Sequence, residues 1–191
     1  MSERANDTYV IREVRGADWR RLRELRLAAL ADPVSAVAFS ESYESALAQP
    51  EEFWRRRAAQ AEEGLPCTTF VAVAADDAWA GMLTGRVVDG AAWIVGVYTR
   101  PEQRGSGLGG GLFEAVARWG WARPEVERLC LHVHEANERA RAFYVRWGFR
   151  PTGASDAHPK PPYGRAYVYE LPRPGARERR GRAVGAPSSS P

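Results

Sequence analysis

Residues 97–112, VYTRPEQRGSGLGGGL, narrow the choices for this chain more than any other stretch. A β-type run from Trp93 to Thr99 meets Pro101, which cannot donate to a strand ladder and biases Arg100 away from the helical region. Arg104 and a burst of glycines follow. Leu108, Leu112, Phe113 and Val116 then recur at helical spacing. Strand, glycine loop and helix start together make an anion site. Glycine has no Cβ, so a phosphate can approach the backbone and unusual φ values cost little. The unpaired N–H groups of a first helical turn, at the positive end of the helix dipole, would face the anion. Arg104, Gly105, Ser106, Gly107, Leu108 and Gly109 are therefore the expected cradle for a diphosphate.

The pattern has other readings. Gly105-Ser106-Gly107-Leu108-Gly109-Gly110 also satisfies G-x-G-x-x-G, the dinucleotide fingerprint, and a glycine-rich turn without a ligand is a third possibility. A Walker loop is excluded, because no Lys-Ser/Thr pair follows the last glycine.

The strands upstream bear on that choice. Thr8 to Val14 alternates as a first strand. Asp18 can cap a helix carrying Trp19, Leu22, Leu25 and Ala29, which Asp32-Pro33 stops. An irregular stretch with Phe39, Glu41, Tyr43 and Glu44 leads to a second helix, opened by Pro50-Glu51-Glu52 and closed by Gly64 and Pro66. Thr68 to Ala75, Trp79 to Val88 and Ala91 to Thr99 read as strands joined by Asp76-Asp77 and by Asp89-Gly90, the best hairpin signal in the chain. Tight turns make these strands antiparallel. A dinucleotide unit instead places its glycine loop after the first strand of a parallel repeat.

Beyond the loop, a helix runs to about Trp121. Arg128 to His134 forms a fifth strand, parallel to the fourth because a helical crossover joins them. Asn137 caps or precedes a helix with Ala140, Phe143, Tyr144 and Trp147, ended by Gly148. Phe149 to Gly153 and Tyr163 to Leu171 form a last strand pair, with a proline-rich loop, Ala154 to Pro162, between them.

The chain has 191 residues, 45% hydrophobic and 27% charged, the balance of a globular domain. No apolar run approaches the roughly 20 residues of a membrane span, and residues 1–7 hold no apolar signal region. Cys67 and Cys130 form no framework, which points to reduced thiols and a cytoplasmic protein. Much of the net charge of +3 lies between Arg173 and Arg182, in a basic, Pro/Ser-rich tail (residues 172–191) expected to be disordered. The tail reads as a solvated extension with no specific nucleic-acid partner.

Two blocks, Arg104-x-x-Gly107-x-Gly109 and, one crossover later, Asn137-x-x-Ala140-x-x-Phe143-Tyr144-x-x-x-Gly148-Phe149, together resemble the GNAT superfamily of N-acyltransferases, which bind acetyl-coenzyme A. The order of elements is similar too. The resemblance covers about residues 8–171 as one domain. It implies an α+β fold: a mixed, mostly antiparallel, twisted sheet of about seven strands, flanked by about four helices. It further implies that the loop amides hold the coenzyme's diphosphate, that Val97, Tyr98 and Thr99 pair with the pantetheine arm, and that Asn137 bonds the same arm. Tyr144 takes the position of the acid that protonates the departing thiolate. A phenol, at about 10, lies near a thiol, at about 8.5, so the proton can be shared as charge develops on sulfur.

The reaction implied is direct attack of a primary amine of a small molecule or peptide on the thioester, with a backbone N–H near Val97 or Thr99 stabilising the oxyanion. A base must take the amine's proton. Glu41, Glu44, His132 and His134 are the candidates, Glu41 being the one chosen, and a water chain is another. His132 and His134 share a strand face, but with no third ligand evident no metal is expected. Phe39, Tyr43, Phe53 and Trp54 line the acceptor pocket or pack the core. Two rivals remain: a non-catalytic acyl-coenzyme A module on the same fold, and a dinucleotide-dependent oxidoreductase. A homodimer is implied by the family alone.

Overall fold

The computed structural model describes residues 9–63 and 66–175. Thr8, the proposed helix stop Gly64 and the tail from residue 176 onward lie outside the described residues.

Seven strands form one sheet: β1 (Tyr9–Glu13), β2 (Cys67–Ala74), β3 (Trp79–Val88), β4 (Ala91–Thr99), β5 (Arg128–His134), β6 (Arg150–Ala157) and β7 (Arg165–Pro172), in the order β1-β2-β3-β4-β5-β7-β6. Only β4 and β5 are parallel; the hairpins upstream and the pairs β5/β7 and β6/β7 are antiparallel. The helices are α1 (Trp19–Ala31), α2 (Ser35–Ala38), α3 (Tyr43–Leu47), α4 (Glu51–Glu63), α5 (Leu108–Trp121) and α6 (Glu138–Arg146). This is the mixed seven-stranded α+β architecture that the sequence implied, with two helices more. Those two, α2 and α3, span four and five residues of the stretch read as irregular, too few to show an apolar period.

Each face of the sheet carries its own core. On one, α5 and α6 pack Leu112, Phe113, Val116, Tyr144 and Phe149 against Leu83, Ile94, Leu129 and Leu131. On the other, α1, α3 and α4 bring Leu22, Leu25, Ala46, Trp54 and Ala58 onto Val71, Met82 and Tyr98. In β4 a bulge makes the division: Ile94 and Tyr98, four apart, would share a face of a regular strand, but the extra residue between them turns Ile94 to the first core and Tyr98 to the second.

Several boundaries differ from the sequence reading, most by one residue, as at β1 and β2. β6 extends to Ala157 rather than ending at Gly153, because a register shift between Pro151 and Ser155, with Gly153 at φ +89°, lets the strand resume pairing. As an edge strand exposed on both faces it shows no apolar alternation. β7 runs two residues later at its start, from Arg165, and one later at its end, to Pro172. Arg173, assigned to the tail, is held: its Nε donates to Val126 O at 2.8 Å and its backbone N–H to Glu127 O at 2.8 Å. Asp18 stands at the start of α1 without a side-chain cap bond; its carboxylate accepts instead from Arg12 and from the Arg15 backbone N–H. Among the described residues no helix is long and apolar enough to cross a membrane.

Candidate active site

The parallel pair β4/β5 is joined only at Ala91–Arg128, Ala92–Leu129 and Trp93–Cys130. Beyond Trp93 the two strands diverge. β5 keeps a full antiparallel partner in β7, while β4 from Ile94 to Thr99 has β3 on one side and an opening on the other. Divergence is built into β4: between Thr84–Val95 and Met82–Tyr98 it carries one extra residue, and Gly96 sits there at φ +66°. A glycine in the left-handed region is what a bulge of this kind needs.

The opening is a cavity of about 790 Å³ whose wall includes residues 94–99 of β4, the glycine loop, Asn137, Phe143 and Tyr144 of the α6 region, and His134 and His158. Of the residues expected from sequence, Val97, Tyr98, Thr99, Arg104, Gly105, Gly107, Gly109, Asn137 and Tyr144 line it; Ser106, Leu108 and Glu41 do not. Leu108 is buried in the core.

The glycine loop is held from outside the cavity. Pro101 opens a 3-10 turn, Pro101–Gln103; Ser106 Oγ donates to Gln103 O at 2.8 Å, and the Tyr9 hydroxyl donates to the Gln103 side chain. The Arg104 side chain turns back, donating through Nε to Thr99 O at 3.2 Å and through its guanidinium to Asp32. Gly105 and Gly107 have φ of +91° and +89°, and Gly107 is the N-cap of α5. Among the described residues nothing accepts from the backbone N–H of Gly105, Gly107 or Gly109. A Cβ at Gly105 or Gly110 would meet nothing within 4 Å, so space for an anion lies directly against the loop. Arg139 and Arg146, exposed and on the cavity rim, add positive charge. Sequence reasoning passed over both, although they share a face of α6 with Phe143.

Asn137 caps α6: its Oδ1 accepts from Ala140 N at 3.2 Å. Two turns on, Tyr144 is 7% exposed and packs on Phe113, Phe143 and Phe149, with ring centroids 5.5, 5.7 and 6.1 Å away. Burial pushes its phenol well above the ordinary tyrosine range. The hydroxyl has no hydrogen-bond partner among the described residues, and the side chain lines the cavity.

Glu41 is engaged elsewhere. Its Oε2 accepts from Arg26 Nε at 3.0 Å and from Arg26 Nη2 at 2.8 Å, and Lys160 Nζ donates to its backbone carbonyl at 2.7 Å. His132 is stacked on Trp93 and faces Asp156 at 2.9 Å. His134 has both ring nitrogens committed: Nδ1 accepts from Ala136 N at 3.1 Å, so Nε2 carries the proton and donates to Pro162 O at 3.1 Å. Its ring and that of His158 meet edge to face, centroids 4.7 Å apart. His158, not singled out from sequence, is buried in the cavity wall. Its Nδ1 lies 2.8 Å from Lys160 O. A carbonyl only accepts, so Nδ1 is the donor there; in the neutral ring the lone pair is then on Nε2. A lone histidine in a proline-rich loop carries no periodic signal. Its partners come from the cis Pro161–Pro162 loop folding back on β5.

The model of the acetyltransferase (GNAT) family matches residues 31–149. A shorter match, to a PHP-associated model, spans residues 134–178 and overlaps the first at 134–149. Among solved structures, the PaiA N-acetyltransferase of Thermoplasma acidophilum, in complex with coenzyme A, superposes with a TM-score of 0.70 at 19% identity over 87% of this chain and 99% of its own. A GNAT-family acetyltransferase of Streptococcus pneumoniae gives 0.74 at 17% identity, over 86% and 99%. A phosphinothricin acetyltransferase of Sinorhizobium meliloti, in complex with AcCoA, gives 0.67 at 17%, over 86% and 88%. At such identities the structures speak to the fold, and the family match, which takes in the diverging strands and the glycine loop, speaks to descent. This chain belongs to the GNAT family of acetyltransferases.

Proposed function

We propose that residues 8–171 act as one domain that transfers an acetyl group from acetyl-coenzyme A to a primary amine of a small molecule or peptide, without a covalent enzyme intermediate. The observation that carries this reading is the opening between β4 and β5, with unpaired loop amides at one end and the Tyr144 phenol in its wall. The amides of Gly105, Gly107 and Gly109 take the donor's diphosphate, aided by the α5 dipole. The free edge of β4 from Val97 to Thr99 takes its amide-bearing arm as an added strand would.

In the reaction the amine nitrogen bonds to the thioester carbon, and a β4 backbone N–H holds the oxyanion. As the C–S bond breaks, Tyr144 gives its proton to sulfur. Burial raises the phenol, yet a thiolate born beside it is desolvated in the same way, so the two proton affinities rise together. His158 Nε2 accepts the amine's proton, in preference to Glu41, whose carboxylate Arg26 already occupies. Because Cys67 and Cys130 are free thiols, a reducing compartment such as the cytoplasm suits the protein.

Thermal stability measured with acetyl-coenzyme A, NAD and NADP side by side, followed by thiol release on an amine panel, tests the reading. Stabilisation by acetyl-coenzyme A with thiol release on at least one amine is expected; stabilisation by a dinucleotide alone would end it.

A further inference from the structure

The acceptor end of the cavity is cationic beyond what its carboxylates neutralise. Arg26, from α1, is 6% exposed and lines the cavity. Its Nε and Nη2 both go to the same oxygen, Glu41 Oε2. Nη1 is buried without a partner. It lies 3.9 Å from where a Cβ on Gly96 would stand, so it points at the bulge of β4. Phe39 closes its other side, the guanidinium carbon 4.5 Å from the ring centroid.

Arg57, from α4, lines the same cavity with no carboxylate bonded to it among the described residues. Burial, then the charge of Arg26, holds its guanidinium below the ordinary arginine range. Lys160 stands behind, also lowered by burial and by Arg26. Two arginines thus share one end of the cavity with Lys160 close behind; of the carboxylates near them, Glu41 is spent on Arg26 and Glu44 acts on Lys160. A buried guanidinium with an idle donor is costly unless something completes it. The arginine fork matches an oxyanion.

We propose that Arg26 and Arg57 receive a carboxylate of the acceptor, so that the amine acetylated belongs to a small amino acid rather than to a neutral alkylamine or polyamine. This rests on the acetyl-transfer reading for the amine but not for the carboxylate. An amino acid places its amine two bonds from its carboxylate carbon; with the carboxylate on Arg26 Nη1, the amine comes to the bulge of β4, where the oxyanion donors of the proposed reaction lie. Cationic acceptors are disfavoured there, since like charges would meet in a poorly hydrated pocket.

Binding without turnover separates the two readings. The ligands are N-acetylglycine, N-acetylalanine and N-acetylmethionine and their primary carboxamides, titrated calorimetrically into protein saturated with coenzyme A. The acids are expected to bind at least about tenfold tighter than the amides, the share of one charge-assisted bond. Arg57→Gln is expected to remove most of that preference. Arg26→Gln alone would strand Glu41, so it is made together with Glu41→Gln, with the same expectation. Acids no tighter than amides, or a preference that survives in both variants, would overturn the inference. A clear acid preference in a protein that acetylates no amine would leave the carboxylate site standing and remove the enzymatic reading.

Discussion

The guanidinium of Arg104, in the glycine loop, donates to the carboxylate of Asp32, at the end of α1. The two are 72 residues apart in sequence, and Asp32 is almost wholly buried. The carboxylate also accepts from Val34 N at 3.0 Å, which starts the turn into α2. The pair therefore ties the glycine loop to the turn between α1 and α2. Asp32→Ala removes both bonds and leaves Arg104, a quarter exposed, partly hydrated. A loss of about 2 kcal/mol of stability is expected, below the cost at a fully buried pair. Coenzyme affinity should fall about tenfold as the loop loosens. Urea denaturation and calorimetric titration measure the two effects, and unchanged affinity would separate the pair from the loop's function.

Glycines 107 and 110 should respond to alanine in opposite ways. At φ +89° Gly107 tolerates a side chain poorly, and Gly107→Ala is expected to cost about 1–2 kcal/mol in folding. Gly110 is helical with open space at its Cβ, so Gly110→Ala should stabilise the apo protein by about 0.5–1 kcal/mol. If the loop cradles an anion, that same methyl stands in the anion's way and weakens coenzyme binding. A loop that is only a turn would show the stability gain with no loss of affinity.

Tyr144→Phe keeps the ring packing on Phe113 and removes only the hydroxyl. Coenzyme affinity should hold within about twofold, while kcat falls by about 100-fold or more, the usual share of a positioned acid. Because burial raises the phenol above its ordinary value of about 10, it stays protonated through neutral and mildly alkaline pH. The wild-type kcat is therefore expected to show no descending limb below about pH 10. A descending limb near pH 8 would assign the acid to another group.

His158→Gln keeps the side chain's size and polarity but offers no basic lone pair. Turnover of an aliphatic amino acid should drop by about 100-fold at pH 7 and recover as pH rises, because the neutral amine then becomes abundant without help. An aminobenzoate, whose amine is already neutral at pH 7, should be nearly indifferent to the change. Equal losses on both amines would make His158 a structural residue.

Stability at low pH has one identifiable contributor far from the site. Burial opposes the charge of Asp18, but the hydrogen bonds from Arg12 and the Arg15 backbone outweigh it and leave its carboxyl below the ordinary value. A carboxylate lowered in the folded state contributes above its unfolded pKa, about 3.9, and loses that contribution as pH falls through the folded value. Asp18→Asn should accordingly lower stability at pH 7 and leave it little changed at pH 2. Denaturation midpoints at the two pH values check the sign.

The glycine loop and the crossover were legible because each rests on local chemistry: proline and glycine punctuation, and apolar spacing at Leu108, Leu112 and Val116. The hairpins were legible for the same reason at Asp89-Gly90, where Asp89 and Gly90 both take positive φ. What sequence could not supply is pairing across distance. The fate of Glu41 depends on Arg26, fifteen residues earlier, and the availability of His158 depends on which carbonyl its Nδ1 meets. Polar residues in an edge strand, as in β6, carry no alternation to read.

Phe113, in the middle of α5, touches the rings of Phe143, Tyr144, Trp147 and Phe149. The helix that begins at the glycine loop and the one that bears Tyr144 are thereby locked into a single mechanical part, on the opposite face of the sheet from α1, α3 and α4. The Arg104–Asp32 pair reaches this part at the loop and not at the rings, so exchanges among Leu22, Trp54 and their neighbours leave the ring contacts of Tyr144 untouched.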